Sequence, residues 1–164
     1  MAGMTPRRGA PEPRRNPQLD PVSKAIIAEL QQDGRRSYAA IGKEVGLSEA
    51  AVRQRVQRLV DGGVMQVVAV TDPLQLGFAR QAMIGIRVDG PIEPVAEEVA
   101  DLDAVDYVVV TAGSYDLLVE VIAETDEHLL EVVSQQIRTV PGVVATETFM
   151  YLKLQKQTYS WGVR

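Results

Sequence analysis

The residues best suited to chemistry lie in one short segment, GLSEAAVRQRVQRLVDGG, at positions 46–63. Three arginines and two glutamines are interspersed there with valines and a leucine. On a helix that begins after Ser48, the apolar residues fall into one stripe about 100° wide, formed by Val52, Val56, Leu59 and Val60. The remaining surface is small and polar, and it consists of Ser48, Ala50, Ala51, Arg53, Gln54, Arg55, Gln57 and Arg58.

This polar surface matches the chemistry of the DNA major groove. Alanines allow close approach, glutamine pairs with N6 and N7 of adenine, and arginine pairs with O6 and N7 of guanine or with phosphate. We therefore predict that these eight residues contact double-stranded DNA. The alternative is a solvated basic helix in an ordinary helical bundle, because arginine is common on helix surfaces.

The segments before this helix carry the signals of a helix-turn-helix. Asp20 as N-cap predicts a first helix that ends near Asp33, with Gly34 as its stop. Ser37 is placed to cap a second, short helix, YAAIGKEV, and Gly46 supplies the left-handed turn before the third. Two helices joined by such a turn are typical of DNA-binding proteins.

Charge is divided between the two halves of the chain. Up to Gly62 there are eleven Lys and Arg against seven Asp and Glu, whereas from Gly63 onward there are six against fifteen. The first half is therefore +4 and the second −9, within a net charge of −5. A basic half joined to an acidic half predicts an anionic partner for one end only.

Other features narrow the class of protein. The chain of 164 residues contains no cysteine, so disulfides and thiolate metal sites are excluded, and a reducing, cytoplasmic location is expected. No run of about 18 apolar residues predicts a membrane span. Residues 1–18, rich in Pro, Arg and Gly, predict a disordered arm that either adds phosphate contacts or is inert. No cofactor or metal site is predicted.

The second half predicts a ferredoxin-like sandwich. After a β-branched run at 64–70, predicted to be a small wing strand, residues 71–80 carry Asp-Pro and Gly and predict a linker. Apolar patterning then predicts the order β-α-β-β-α-β. Its strands are QAMIGIRV, VDYVVVTA, LLVEVIA and VVATETFMYLKL, and its helices are PIEPVAEEVADLD and TDEHLLEVVSQQIRTV.

The strands of this sandwich are apolar on both faces, although helices cover only one. The predicted sets are Val108, Val110, Leu118 and Ile122 on one face, and Tyr107, Val109, Leu117 and Val121 on the other. A sheet face that meets water normally carries polar residues. We therefore predict a homodimer formed through this half, which would present two recognition helices to a roughly palindromic DNA site.

Four ordered segments give the chain a resemblance to the Lrp/AsnC (feast/famine) family of transcriptional regulators. They are LDPVSKAIIAELQQDGR, GLSEAAVRQRVQRLVDGGV, GSYDLLVEV and PGVVATETFMYLK. The resemblance implies an α+β fold, with an N-terminal, winged helix-turn-helix domain followed by a ferredoxin-like domain that senses amino acids. It also implies dimers that assemble further, often to octamers.

Carried over residue by residue, the resemblance implies an effector-binding loop at Gly113, Ser114, Tyr115 and Asp116, with Thr146 and Thr148 as additional contacts. Asp116 is able to pair with an ammonium group, and the threonine hydroxyls with either end of an amino acid. The alternative is that Gly113 and Asp116 simply form a tight hairpin. The sequence departs from the family at Ser23, where an acidic residue is usual, so the Asp20 cap is expected to lack its partner.

Two other functions remain open at this stage. Some siroheme decarboxylases resemble the same two-domain architecture, but the chain has a single histidine, His128. An architectural DNA-binding protein without sequence preference is the third possibility, and the acidic second half opposes it.

The predicted organisation is an arm at 1–18, a helix-turn-helix domain at 19–70, a linker at 71–80, a ferredoxin-like effector-binding and oligomerisation domain at 81–156 and a tail at 157–164.

Overall fold

The computed structural model describes residues 19–158, 162 and 163, and of Leu74 only the backbone. The predicted arm at 1–18 lies outside the described residues. The described residues divide into two compact units, one from Val70 to Leu154 and one that comprises the described residues up to Ala69 together with those from Gln155 onward.

The first unit contains three helices with the predicted N-caps. They are α1 (Pro21–Gln32), α2 (Tyr38–Val45) and α3 (Glu49–Asp61). The side chains of Asp20, Ser37 and Ser48 accept hydrogen bonds from backbone N–H groups three residues on, at 2.6, 3.2 and 3.2 Å. The end of α1 near Asp33 is confirmed, but the residue that caps it is Asp33, in extended backbone, and not Gly34.

The turn between α2 and α3 depends on two glycines. Gly46 has φ 71°, the left-handed conformation predicted for it. Gly42, inside α2, is buried, and a Cβ there would lie 2.5 Å from the carbonyl oxygen of Leu47. Close approach of the backbone at this point brings Ile41 and Val52 into one fully buried cluster with Ile26.

The predicted wing strand is wrong. Residues 64–70, all of which the structure describes, form no strand, and Val67, Val68 and Val70 are exposed. A single extended segment without a neighbouring strand has no ladder of hydrogen bonds to stabilise it, so β-propensity by itself is insufficient. Within the predicted linker, Pro73–Leu76 forms a 3₁₀ turn.

The second unit confirms the β-α-β-β-α-β order. Its elements are β1 (Arg80–Val88), α4 (Ile92–Ala100), β2 (Val105–Val110), β3 (Leu117–Ala123), α5 (Asp126–Glu131, continued by a π-helical segment at Val132–Ile137) and β4 (Val143–Met150). The sheet is antiparallel throughout, in the order β2-β3-β1-β4. Its core joins alternate residues of β1 and β3, such as Ile84 and Val119, to apolar residues of both helices.

The register corrects the predicted faces of β2. Val109 is opposite Leu118, and Val108 is opposite Val119. Directly opposed residues share a face, so Val109 joins Leu118 and Ile122, whereas Val108 joins the helix-covered face. A bulge between Val105 and Tyr107 lies at the other end of β2, and one residue of slip exchanges the two faces of a strand.

The face of the sheet that carries no helix is termed here the helix-free face. The register assigns to it Gln81, Met83, Gly85, Arg87, Tyr107, Val109, Leu118, Glu120, Ile122, Ala145, Glu147 and Phe149. Tyr107 and Phe149 are 51% and 41% exposed, so large aromatic surface faces outward. The face is more polar than the sequence patterning predicted, because it also carries two glutamates and an arginine.

Glu120 organises the polar groups in the middle of the helix-free face. Gln81 donates a 2.9 Å hydrogen bond to its carboxylate. Burial and a hydrogen bond with Glu120 raise the pKa of Tyr151 to about 12. Burial, and then the charge of Glu120, raise the pKa of Asp106. The hydrogen bonds from Gln81 and Tyr151 satisfy polar atoms within the chain, which lowers the cost of covering them.

Candidate DNA-binding and effector sites

The exposed surface of α3 is the first candidate site. Val52, Val56 and Leu59 are buried as predicted, but Val60, at 38% exposure, lies outside the stripe. The remaining surface is exposed at Ala50, Arg53, Gln54, Gln57 and Arg58, and half-buried at Ala51 and Arg55. The fold therefore leaves the predicted DNA-binding face of α3 available, and Ser48 sits at its N-terminal end.

The polar side chains of α3 differ in whether they already have hydrogen-bond or ion-pair partners within the chain. Arg53 pairs with Glu49 at 2.7 Å and lies 5.2 Å over the ring of Tyr38. Gln57 donates to Asp61 at 2.7 Å. Within the part of the chain that the structure describes, the side chains of Gln54 and Arg58 have no hydrogen-bond or ion-pair partner. These two are therefore ready to bind without first losing a contact.

Arg55 has a partner far away in the sequence. Its guanidinium lies 2.6 Å from the carboxylate of Asp20 and 3.2 Å from the hydroxyl of Ser23. The hydrogen bond from Arg55, together with those from Ser23, lowers the pKa of Asp20 to about 2. The Asp20 cap does have a partner, and it comes from α3. Contact between Arg55 and DNA stays a prediction, but its structural contact joins the start of α1 to α3.

The loop between β2 and β3 is the second candidate site, and backbone contacts hold it tightly. Asp116 accepts a hydrogen bond from the backbone of Val88 at 2.8 Å through its carboxylate, and its N–H donates to Ile86 at 2.9 Å. Thr111 bonds the carbonyl groups of Tyr115, at 2.6 Å, and of Asp116, at 2.9 Å. The hairpin alternative thus has direct support, whereas effector binding by Asp116 stays a prediction.

Tyr115 lies against the sheet at a position that only glycine permits. A Cβ on Gly85 would lie 2.7 Å from a ring carbon of Tyr115. The ring meets Phe149 edge-on, with centroids 5.9 Å apart, and its hydroxyl donates to Glu147. The Tyr115 side chain is therefore held in place on the helix-free face.

A small cavity lies beside Tyr115. Its volume is about 260 Å³, and it is lined by Arg87, Ser114, Tyr115, Ala145, Thr146 and Glu147. Three of the predicted effector residues therefore meet there, namely Ser114, Tyr115 and Thr146. The other three, Gly113, Asp116 and Thr148, are not in its lining.

Sequence reasoning missed Arg87 and Glu147. The available signal was Gly85 inside the predicted strand QAMIGIRV, because glycine in a strand interior often marks close approach of another group. Nothing local indicated that Glu147, on β4, would lie opposite that glycine.

A second cavity, of about 470 Å³, lies beside His128, Asp101, Asp103 and Gln136. His128 accepts a long, 3.4 Å hydrogen bond from the backbone of Glu124. Within the described ranges no three His, Asp or Glu side chains are grouped so as to hold a metal ion, and no helix is long and apolar enough to cross a membrane.

Comparison with known families agrees with both units. The model of the AsnC-type helix-turn-helix domain matches residues 19–60. A model described as a C-terminal dimeric alpha+beta barrel domain matches residues 78–164. The first match lies within the unit that ends at Ala69, and the second covers most of the other unit and continues beyond its end at Leu154.

Similar proteins, found by sequence and by structure, support the same family. The HTH-type transcriptional regulator FL11 of Pyrococcus horikoshii is 34% identical over 142 residues, covering 85% of this chain and 93% of that protein. The leucine response regulatory protein LrpA of Mycobacterium tuberculosis has a TM-score of 0.76 at 27% identity, over 85% of this chain and 96% of that chain. A transcriptional regulator of Neisseria meningitidis, solved as a complex with L-Met, has a TM-score of 0.75 at 24% identity, over 87% and 96% of the two chains. The chain belongs to the Lrp/AsnC family of helix-turn-helix transcriptional regulators.

Proposed function

We propose that this regulator recognises a specific operator by placing α3 in the major groove, acting on chromosomal DNA in the cytoplasm. The observation that carries the proposal is the exposed face of α3, on which Gln54 and Arg58 make no hydrogen bond or ion pair with any other described residue. Gln54 is suited to adenine and Arg58 to guanine or phosphate. Ser48, Ala50, Ala51, Arg53, Arg55 and Gln57 complete the contact surface.

We propose that two copies pair through the helix-free face. Its exposed aromatic residues, Tyr107 and Phe149, are suited to burial, and the polar group at its centre, Glu120, already has partners within the chain. The description of the matching family model as a dimeric domain supports the same arrangement. A two-fold dimer presents two copies of α3 to a palindromic site, and dimers assemble further, as in octamers.

We propose that a small effector, an amino acid, binds the cavity beside the loop at 113–116. The support is the cavity itself, where Ser114, Tyr115 and Thr146 meet, and the L-Met held by the Neisseria regulator. Binding there would change how dimers pack and so couple effector concentration to operator affinity.

Substitution of Arg58 tests operator recognition. Arg58→Ala is expected to reduce discrimination between operator and random DNA by about 1–3 kcal/mol if the guanidinium reads a base. If it contacts phosphate, affinity falls for all sequences and the salt slope decreases by about 1. Titration of the full chain with labelled operator and with excess random competitor, at several salt concentrations, measures both.

The matched control is Arg138→Ala, which removes the same charge from an exposed position outside the helix-turn-helix. It is expected to leave discrimination unchanged. Equal affinity of the unmodified chain for operator and random DNA would contradict sequence-specific regulation and favour an architectural protein. Unchanged affinity, salt slope and discrimination in Arg58→Ala would contradict the assignment of Arg58.

A further inference from the structure

We propose that Glu49 and Arg53 act as one unit that reads a C·G base pair in the major groove. Glu49 accepts a hydrogen bond from cytosine, and Arg53 donates to guanine. Glu49 is not among the residues predicted to contact DNA, so it is a further specificity-determining residue. The inference rests on the proposed placement of α3 in the groove, and it names a base pair that the operator contains in each half-site.

The two side chains lie at the N-terminal end of α3. Glu49 is the first residue of the helix, directly after the Ser48 cap, and Arg53 follows one turn later. In helix-turn-helix proteins the N-terminal residues of the recognition helix are those that contact base edges. The side chains of Glu49 and Arg53 are 52% and 64% exposed, so a base can reach both without a rearrangement of the fold.

Two contacts hold the guanidinium of Arg53 in position. Its Nη2 lies 2.7 Å from Oε1 of Glu49, and its Cζ lies 5.2 Å from the centre of the Tyr38 ring, which belongs to α2. A guanidinium carries several N–H donors in a rigid fork, and the bond to Glu49 uses only one of them. The remaining donors are therefore oriented before DNA arrives, which lowers the entropy cost of binding.

The paired atoms match two groups on the major-groove edge of a C·G pair. N4 of cytosine is a donor and O6 of guanine is an acceptor, and because they hydrogen-bond each other they lie about 2.9 Å apart. Oε1 of Glu49 and Nη2 of Arg53 present the complementary order, an acceptor beside a donor, at 2.7 Å. A second donor of the guanidinium then reaches N7 of guanine, as in other arginine–guanine contacts.

The other base pairs fit this order less well. An A·T pair also offers a donor, N6 of adenine, beside an acceptor, O4 of thymine. However, N7 of adenine is an acceptor next to that donor, so it repels the carboxylate of Glu49. The thymine methyl group offers no acceptor to the second donor of Arg53. Reversal of the C·G pair places the amino group of cytosine against the guanidinium, which is donor against donor.

Pairing with Glu49 also limits how strongly Arg53 is attracted to phosphates. Sequence-independent affinity for DNA comes from cations that neutralise phosphates, and the charge of Arg53 is already balanced by Glu49. Arg58, in contrast, has no ion-pair partner among the described residues. The contribution of the Glu49–Arg53 pair therefore depends on the base pair that it meets.

The experiment is a selection of binding sites from random-sequence duplex DNA by the unmodified full chain, repeated with Glu49→Gln and Arg53→Ala. The control is Glu44→Gln, which removes the same charge from an exposed residue of α2 that pairs with Arg36 at 3.4 Å. The C·G pair whose preference is lost in Arg53→Ala is then replaced in the selected site. One replacement is 7-deazaguanine, which lacks N7, and the other is N4-methylcytosine, whose methyl group takes the place of the free N4 hydrogen.

The unmodified chain is expected to prefer a C·G pair at this position about tenfold or more over the other pairs, and each modified base should weaken its binding. Glu49→Gln is expected to lose the preference for cytosine and to become insensitive to N4-methylcytosine. Arg53→Ala is expected to become insensitive to 7-deazaguanine. Glu44→Gln should select the same site as the unmodified chain. The two modified bases test the unmodified chain itself, so the result does not depend on the folding of any variant.

The failures are distinguishable. If the unmodified chain selects no sequence over random DNA, operator recognition itself is contradicted, and this inference with it. If it selects a site that Glu49→Gln also selects, or a site at which neither modified base weakens binding, only this inference is overturned. An equal gain in affinity for all sequences in Glu49→Gln, with unchanged base preference, also overturns it, since Glu49 would then act only through its charge.

Discussion

At the scale of single residues, two arginines three positions apart on α3 have different environments. Arg58 is exposed and without a partner in the described chain, whereas Arg55 pairs with Asp20 across 35 positions of sequence. On a helix wheel the two differ only in angle. Only Arg55 lies within reach of the start of α1, so it joins two helices, whereas contact between Arg58 and DNA stays a prediction.

The pair of Asp20 and Arg55 predicts a specific acid sensitivity of the helical unit. The pKa of Asp20 is lowered from 3.8 to about 2 in the folded state. A lowered carboxyl pKa stabilises the fold above the unfolded pKa, and that stabilisation is lost as pH falls from about 4 to about 2. Asp20→Asn, which preserves capping, is therefore expected to lower the melting temperature at neutral pH, with a difference from the unmodified chain that shrinks in acid.

Circular dichroism of the full chain between neutral pH and about pH 2 measures this difference. In an Arg55→Gln background, the substitution of Asp20 is expected to have a smaller effect, because the pairing has already been removed. A pH-independent effect of Asp20→Asn, or the same effect in both backgrounds, would show that Arg55 is not the cause.

For the helices and strands, the sequence predicted the helix-turn-helix more accurately than the β-strands. Caps such as Ser37 and Ser48 act within three residues, and both were located from sequence. The wing strand at 64–70 was wrong, because a strand requires hydrogen bonds to a neighbour that local patterning does not supply. The faces of β2 were misassigned for a related reason, since register depends on β3.

Gly42 tests how the turn holds α2 against α3. Alanine normally stabilises a helix relative to glycine by about 1 kcal/mol. Here the added Cβ would lie 2.5 Å from the backbone oxygen of Leu47, and overpacking of this kind costs about 1–3 kcal/mol. Gly42→Ala is therefore expected to reduce the free energy of unfolding and to weaken operator binding, as measured by urea denaturation and DNA titration.

Gly34→Ala is the matched control, because its Cβ would approach no atom closer than 3.8 Å. It is expected to leave the free energy of unfolding unchanged or slightly higher. Stabilisation by Gly42→Ala would mean that α2 and the turn separate more freely than the structure shows.

For the molecule as a whole, the proposed pairing of two copies through the helix-free face is open to a direct test. Tyr107→Arg places a charge on this face beside Glu120, its cross-strand partner, so the monomer should tolerate it. Burial of that charge against a second copy is unfavourable. The variant is expected to sediment as a monomer and to lose preference for a palindromic site over a half-site.

Leu130→Arg is the control, because Leu130 on α5 is 67% exposed and lies outside the helix-free face. It is expected to sediment like the unmodified chain. A Tyr107→Arg variant that remains dimeric by analytical ultracentrifugation would show that the copies pair through another surface.

The sequence was sufficient to predict the helices, the order of helices and strands along the second half of the chain, and the division of charge. These depend on signals that span a few residues: a cap at Ser48, a left-handed glycine at Gly46, and the short apolar run LLVEVIA. The sensor loop was identified only through resemblance, and of its residues Ser114, Tyr115 and Thr146 meet at the cavity.

Which side chains became neighbours depended on the packing of the folded chain. Arg55 meets Asp20, Tyr115 covers Gly85, and Glu147 lies opposite Gly85. The physical reason is that each contact joins segments far apart in the chain, so it forms only once helix packing and strand register have brought them together. Local preference specifies what an element is, and long-range packing specifies what its side chains touch.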